Sequence, residues 1–287
     1  MSSHIIVDGL SLPVRPGDTV LAACRREGVV IPALCHHPGL EPYGACRLCV
    51  VEVTTPGVGP ETPGRVVASC TTPARGEMVV HTVSSRVMRV RRAVIASLLA
   101  RHPTVEVLQE LAHDLGTPAG SAPAAAGTGA ASGSAVAGAA PPAVPLEDLP
   151  VSLRERCVLC GRCVRACAEL GHFAIGFAGR GIARRVTAPF GVSSETCAAC
   201  GACVEVCPTG AVEMVIARDL PDPDTGVAAT RAHLAAWRTT VSLGSCRACG
   251  RPLWSSRMGR TAPEGMADLC PACRRKKALS RSHRLSG

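Results

Sequence analysis

A cysteine spacing written twice decides most of what this chain can become. Residues 157–167 read CVLCGRCVRAC, and residues 197–207 read CAACGACVEVC with Pro208 next. Both copies have the form C-x2-C-x2-C-x3-C. Eight thiolates in that order match the needs of two [4Fe–4S] clusters. A tight loop turns three cysteines toward one cluster, and the fourth opens the next segment and points to the other. The spacing therefore assigns one [4Fe–4S] cluster to Cys157, Cys160, Cys163 and Cys207, and a second to Cys197, Cys200, Cys203 and Cys167. Gly161 and Gly201 hold matching places in the loops, where a missing Cβ lets backbone N–H groups approach inorganic sulfide. A pair of zinc sites or a disulfide framework is the competing explanation, and the repetition of one spacing argues against both. Cys207 precedes a proline but Cys167 precedes Ala168, so the first loop exit is the less constrained.

A chain of 287 residues has room for two or three small domains. Its apolar fraction is 47%, yet aromatics make up only 2%, which excludes one large core and favours metal sites as staples. Every one of the 17 cysteines except Cys24 falls into a group of four with metal-ligand spacing. That grouping predicts a reducing, cytoplasmic setting. MSSHIIVDG lacks the basic and apolar regions of a signal peptide, and no run of about 18 apolar residues predicts a membrane span. The formal charge of +9 counts cysteines as neutral, whereas bound cysteines are thiolates. Three iron–sulfur clusters and one four-cysteine site carry about −8 together. The loaded protein is then near neutral, and its basic composition gives no argument for nucleic acid.

From the N-terminus, residues 4–15 read as a hairpin with Asp8-Gly9 as its turn pair. Pro16 and Gly17 end it, and Asp18 is placed to N-cap a helix carrying Val20, Leu21, Ala23 and Cys24. Cys24 has no cysteine at ligand spacing and reads as a small core residue. Cys35, Cys46, Cys49 and Cys70 follow as C-x10-C-x2-C-x20-C, with VVEV (50–53) leaving the loop as a strand. Hairpin, helix, cysteine loop and returning strands are the parts of a β-grasp ferredoxin, so these four cysteines are assigned to one [2Fe–2S] cluster. A structural zinc site is the alternative on spacing alone. His36 and His37 read as exposed loop residues rather than ligands. Residues 84–100 show apolar positions 87, 90, 94, 95, 98 and 99 at helical period, with Arg86, Arg89, Arg91 and Arg92 on the other, solvated side. His102-Pro103 closes that helix, and a second helical pattern ends at Gly116.

Residues 117–145 are mostly Ala, Gly, Ser and Pro and predict a flexible tether. Beyond the doubled motif, Cys246, Cys249, Cys270 and Cys273 form two C-x2-C knuckles of a zinc ribbon, with a rubredoxin-like iron site as the alternative. Leu253 and Trp254 lie inside the ribbon and read either as a docking surface or as part of its small core. The expected organisation is α+β. A β-grasp [2Fe–2S] ferredoxin domain spans 1–83, a helical segment 84–116, a linker 117–149 and a dicluster [4Fe–4S] ferredoxin domain 150–216. A connector (217–245), a zinc-ribbon-like module (246–275) and a basic tail (276–287) complete it.

Several stretches carry a resemblance beyond spacing: IPALCHHPGLEPYGACRLCVVEV, ASCTTPARGEMVVHT, RCVLCGRCVRAC, GFAGRG and ETCAACGACVEVCPTGAV. Together they resemble the small iron–sulfur (diaphorase) subunit of NAD-linked bidirectional [NiFe] hydrogenases. They are also similar to the N-terminal part of the large iron–sulfur subunit of complex I, and to the same region of NAD-dependent formate dehydrogenases and [FeFe] hydrogenases. The resemblance covers about residues 1–116 and 150–216. It implies an electron-relay subunit between a flavin-bearing NAD(H) module and a hydrogenase or dehydrogenase catalytic module. Family members carry a histidine and three cysteines after the long helix, holding an additional [4Fe–4S] cluster. His102 stands where that motif starts, but residues 104–116 contain no cysteine, so His102 is not expected as a ligand.

The expected cofactors are one [2Fe–2S] cluster, two [4Fe–4S] clusters and one zinc or iron. No G-x-G-x-x-G follows a strand, which puts flavin and NAD on another chain. No catalytic residue or substrate site is expected here, and the chain is expected to be too short for a molybdenum or hydrogen-cluster domain. Two rival readings stand beside the hydrogenase one. The first is the equivalent subunit of a formate dehydrogenase. The second is a redox-responsive regulator whose ribbon and tail bind nucleic acid or a partner.

Overall fold

Aspartate and glycine both tolerate the left-handed conformations that a two-residue hairpin turn requires. Asp8 and Gly9 adopt them, with φ of 49° and 87°. They fold strand β1 (Ser3–Val7) onto β2 (Leu10–Val14) with Val7 opposite Leu10, as the sequence predicts. The computed structural model describes residues 3–54, 63–117, 151–191, 194–221, 228–253, 269–270 and 272–273. These fall into two compact units. One holds the described chain through residue 117 together with Glu155–Arg162, and the other holds Val151–Arg154 and the described residues from Cys163 on.

In the first unit, β3 (Val50–Thr54), β4 (Arg65–Ala68) and β5 (Val79–His81) join the hairpin in a sheet of order β2-β1-β5-β3-β4. β1 runs parallel to β5, and the other neighbours are antiparallel. Helix α1 (Val20–Arg26) buries Val20, Leu21, Ala23 and Cys24 against Ile5, Val7, Val51 and Val80. Cys24 is thus a core residue, and burial, with the nearby Asp8 charge, pushes its thiol up to about 11. The N-cap is Thr19 rather than Asp18, because the Thr19 hydroxyl accepts the Ala22 N–H at 3.2 Å. Asp18 is instead drawn to other donors, accepting the Arg15 N–H at 2.8 Å and the Arg26 guanidinium at 2.7 Å. Burial would raise its pKa, but these donors outweigh burial and hold the carboxyl below its ordinary value.

Helix α2 (Ser85–Arg101) starts where the Ser84 hydroxyl accepts the Val87 N–H at 3.3 Å, and ends at His102. Val87 and Ile95 are buried, as the periodicity predicts. Arg86, Arg89 and Arg92 are exposed, but Arg91 is only 3% exposed. This corrects the reading of Arg91 as part of a solvated face. The cause is tertiary: its guanidinium meets backbone carbonyls of the cysteine loop. Helix α3 (Glu106–Asp114) packs Leu108 and Ala112 into a second core with Leu34, Leu48 and Ile95.

Helix α4 (Val151–Arg156) precedes the first copy of the cysteine motif. Helix α5 (Arg162–Glu169), which lies in the second unit from Cys163 on, leads to a small hairpin of β6 (Gly176–Ala178) and β7 (Arg185–Thr187). Helix α6 (Ala202–Glu205) follows the second cysteine loop. Residues 215–245, read from the sequence as mostly connector, form β8 (Val215–Pro221), β9 (Ala228–Leu234) and β10 (Thr239–Ser245). With β11 (Pro252–Leu253) they make an antiparallel sheet of order β11-β10-β9-β8. Residues 118–149 of the expected linker, Trp254 and the tail 276–287 lie outside the described residues. No helix among the described residues is long and apolar enough to cross a membrane.

Candidate metal centres

The loop from Cys35 to Cys49 folds so that backbone N–H groups face sulfur. The Cys35 N–H points to Cys46 Sγ at 3.5 Å, and the Cys46 N–H to Cys35 Sγ at 3.4 Å. Arg47 turns the loop in the left-handed region, with φ of 60°. Cys35, Cys49 and Cys70 are buried and Cys46 is half-buried. The thiols lie close enough to share protons. Hydrogen bonds from Cys46 and then Cys70 hold the Cys35 thiol far below its ordinary value. The Cys70 thiol holds Cys49 near 6, against the cost of burial. Cys46 and Cys70, the donors in these pairs, are pushed up. The structure thus brings all four predicted cysteines of the first group together, and cationic metal would let all four ionise.

Three consecutive carbonyls of this loop are gripped by side chains. Arg91 Nε donates to Leu48 O at 3.0 Å, and Arg91 Nη2 donates to Val50 O at 2.8 Å. Between them, the Ser69 hydroxyl and N–H both donate to Cys49 O, at 2.6 and 3.1 Å. Burial lowers the Arg91 pKa, opposed by attraction to Cys49 and Asp8. Sequence reasoning missed both residues, because nothing local in a basic helix face marks the one arginine that turns inward. His36 and His37 are half-buried rather than exposed. His36 Nδ1 pairs with Arg25 Nη1 at 3.0 Å, and His37 Nδ1 accepts the Gly39 N–H at 3.2 Å.

His102 is buried, and its Nδ1–H donates to Glu155 O at 2.8 Å, just ahead of Cys157. Val158 packs into the same apolar cluster as Cys46, Leu34, Leu48 and Leu108. The first unit therefore contains the Cys35–Cys49 loop and the start of the first dicluster loop around one core. Cys157 and Cys160 are half-buried there.

The two dicluster loops repeat one backbone device. The residue before the second cysteine is left-handed in both, Leu159 with φ of 55° and Ala199 with φ of 50°. The glycine after that cysteine is left-handed too, Gly161 at 72° and Gly201 at 76°. The glycines were legible; Leu159 and Ala199 were not, although their matching places in the repeat offered a signal. The fourth cysteine of each copy accepts a backbone N–H: Ala174 N–H to Cys167 Sγ at 3.2 Å, and Ala211 N–H to Cys207 Sγ at 3.3 Å. In the second unit Cys163 is buried and Cys207 half-buried.

Cys167, Cys197, Cys200 and Cys203 line a single cavity. Its other walls include His172, Ile175, Leu234 and Trp237. Burial pushes the Cys203 thiol up to about 12. Burial likewise raises Cys167. Four thiols gathered around an apolar cavity, with Cys167 and Cys203 held un-ionised by burial, fit a multi-iron cluster whose positive charge offsets that cost.

The fourth group has a different scale. The Sγ atoms of Cys246, Cys249, Cys270 and Cys273 all lie within 4.8 Å of one another. Tetrahedral ligation at about 2.3 Å places sulfurs about 3.8 Å apart, so these four suit one ion rather than a cluster. Cys246 starts a knuckle in which its carbonyl accepts the Gly250 N–H and its N–H donates to Arg251 O, both at 2.8 Å. The Cys270 N–H points to Cys246 Sγ at 3.3 Å and leads the causes that hold that thiol near 6. Cys273 is pushed up to about 12 by Cys270 and Cys249.

Comparisons with known proteins identify two iron–sulfur domains in the chain. Residues 3–85 match the 2Fe-2S iron-sulfur cluster binding domain, and residues 153–214 match the 4Fe-4S dicluster domain. An NADH-quinone oxidoreductase subunit of Rhizobium meliloti is 33% identical over 214 residues, covering 72% of this chain and 23% of that protein. The NADH-ubiquinone oxidoreductase 75 kDa subunit of Reclinomonas americana is 39% identical over 100 residues, covering 35% of this chain and 14% of that protein. The chain thus spans less than a quarter of these curated relatives. A chain in the crystal structure of NAD+-reducing [NiFe]-hydrogenase in the H2-reduced state is 34% identical, with a TM-score of 0.50, covering 66% of this chain and 75% of that one.

Proposed function

The chain belongs to the iron–sulfur family that joins the N-terminal part of the complex I 75 kDa subunit with a chain of NAD+-reducing [NiFe]-hydrogenase, and on that basis we propose that it is an electron-transfer subunit of an NAD-linked oxidoreductase complex. The observation that carries this reading is the cavity lined jointly by Cys167 and by Cys197, Cys200 and Cys203. A cysteine adjoining one triplet serves the other, as a pair of [4Fe–4S] clusters requires. The order β2-β1-β5-β3-β4 supports a β-grasp [2Fe–2S] domain, with Cys35, Cys46, Cys49 and Cys70 as its ligands. Cys157, Cys160, Cys163 and Cys207 hold the remaining [4Fe–4S] cluster. Cys246, Cys249, Cys270 and Cys273 hold zinc.

When bound, the iron–sulfur groups accept and release single electrons. The residues of this chain would hold them and aim backbone N–H groups at the ligating cysteine sulfurs. Arg91 and Ser69 fix the three carbonyls around Cys49, while His102 ties the segment before Cys157 to the helical pair. Zinc has no redox chemistry, so the fourth site contributes folding energy and no electron step. The partners are a flavin- and NAD-binding chain and a hydrogenase or dehydrogenase catalytic chain, in the cytoplasm, with no substrate site on this subunit.

Metal analysis and EPR of the anaerobically reconstituted full chain test this. About ten irons and one zinc per chain are expected, and Cys46→Ser removes the [2Fe–2S] signal while sparing the cubane signals. A third cubane signal in the wild type overturns the assignment.

A further inference from the structure

The 4Fe-4S dicluster match ends at residue 214, yet one wall of the Cys167, Cys197, Cys200 and Cys203 cavity comes from beyond it. Strands β9 and β10 are joined by a short turn, Ala235–Trp237, with Arg238 left-handed at φ of 49°. Trp237 in this turn is 3% exposed and lines the cavity beside Leu234. Its Nε1 is buried and has no hydrogen-bond partner. Buried indole N–H groups normally find one, because leaving a donor unmade is costly. Trp237 and the four cysteines Cys167, Cys197, Cys200 and Cys203 line this one cavity.

The turn is also laced to the cysteine loop. Thr239, 1% exposed, accepts the Ser194 N–H at 3.3 Å and donates its own hydroxyl to Trp237 O at 2.9 Å. Ser194 O in turn accepts the Cys197 N–H at 3.2 Å. A chain of hydrogen bonds therefore runs from Cys197 through Ser194 and Thr239 to Trp237. Such a tie fixes the ring relative to the cysteines, whereas simple core packing demands no particular orientation of the indole N–H.

We propose that Trp237 is a positioning residue for the cluster that Cys167, Cys197, Cys200 and Cys203 would hold: with the cluster bound, its buried indole N–H donates to a ligand sulfur and its ring shuts that cluster off from water. This rests on the iron–sulfur reading above and adds a role for strands β9 and β10. An N–H donor to a ligand sulfur stabilises the reduced, more negative cluster and so raises its potential. One electron enters on reduction; the indole keeps its proton, and no covalent bond forms or breaks.

The test is an EPR-monitored redox titration of the reconstituted full chain carrying Trp237→Phe, which keeps a ring and removes the donor. At the wild-type midpoint, the reduced-to-oxidised ratio of one cubane falls about fivefold, the ratio that one hydrogen bond of ordinary net strength supplies. The affected signal is the one that Cys167→Ala abolishes, and the [2Fe–2S] and other cubane signals keep their midpoints. An unchanged midpoint, or a shift of the other cubane, overturns the proposal. If Trp237→Phe fails to retain the cluster, benzothienylalanine at position 237 keeps the shape of tryptophan without the N–H. A wild-type midpoint in that variant overturns the proposal, and a fivefold fall upholds it. If Cys167→Ala leaves both cubane signals intact, it is the cluster assignment that fails, independently of Trp237.

Discussion

Replacing Arg91 by methionine removes a cation from the first unit without removing its bulk. The guanidinium is 3% exposed, donates to Leu48 O and Val50 O, and has no carboxylate at ion-pair distance among the described residues. Each hydrogen bond from a charged donor contributes about 1.5–3 kcal/mol, so the pair contributes about 3–6 kcal/mol gross. Burying the guanidinium offsets part of that, which leaves an expected net loss of about 3 kcal/mol in Arg91→Met. Lysine can satisfy one carbonyl at a time, so Arg91→Lys loses roughly half as much. Urea unfolding followed by the visible circular dichroism of the [2Fe–2S] centre reads this unit separately from the other. The expected order of stability is wild type, then Lys, then Met. An Arg91→Met protein within about 0.5 kcal/mol of wild type refutes the claim that the arginine holds the loop.

Glu52 accepts from the Ser84 hydroxyl at 2.5 Å and from Arg86 at 2.7 Å; the Ser84 bond leads the causes that hold its pKa below the ordinary carboxylate value, against burial. A depressed folded pKa stabilises above the unfolded value, so Glu52→Gln is less stable by about 1–2 kcal/mol at neutral pH. The deficit disappears as pH falls through the folded pKa, and a deficit independent of pH contradicts the assignment. Ala199, at φ of 50°, accepts glycine without loss, whereas a β-branched side chain is strained there by about 1–2 kcal/mol. Ala199→Val therefore releases the Cys167, Cys197, Cys200 and Cys203 cluster faster than Ala199→Gly, as followed by loss of its visible absorbance, and equal rates contradict it. Cys246→Ser loses zinc and keeps all iron; loss of one iron per chain instead makes the site rubredoxin-like.

What was legible in the sequence was whatever chemistry spaces rigidly. Cluster ligation repeats C-x2-C-x2-C-x3-C, a hairpin turn asks for Asp8-Gly9, and a helix buries Val87 and Ile95 at its period. What was not legible depends on which side chain claims a given donor or acceptor. Arg91 turns inward because Leu48 and Val50 present carbonyls to it across more than 40 residues. Thr19 displaces Asp18 as the cap because Arg15 and Arg26 claim the carboxylate. Trp237 reaches a cysteine cavity because Thr239 laces its turn to Ser194. In each case local pattern allowed two placements, and tertiary hydrogen bonding selected one.

If cysteines from the two motif copies cross to share clusters, matched variants must lose their signals in a fixed pairing. EPR of reconstituted Cys167→Ala, Cys197→Ala and Cys163→Ala reads which cubane each cysteine serves. Cys167→Ala and Cys197→Ala are expected to lose the same cubane signal, and Cys163→Ala the other. A Cys167→Ala protein that loses the signal missing from Cys163→Ala contradicts crossed ligation, and with it the dicluster assignment.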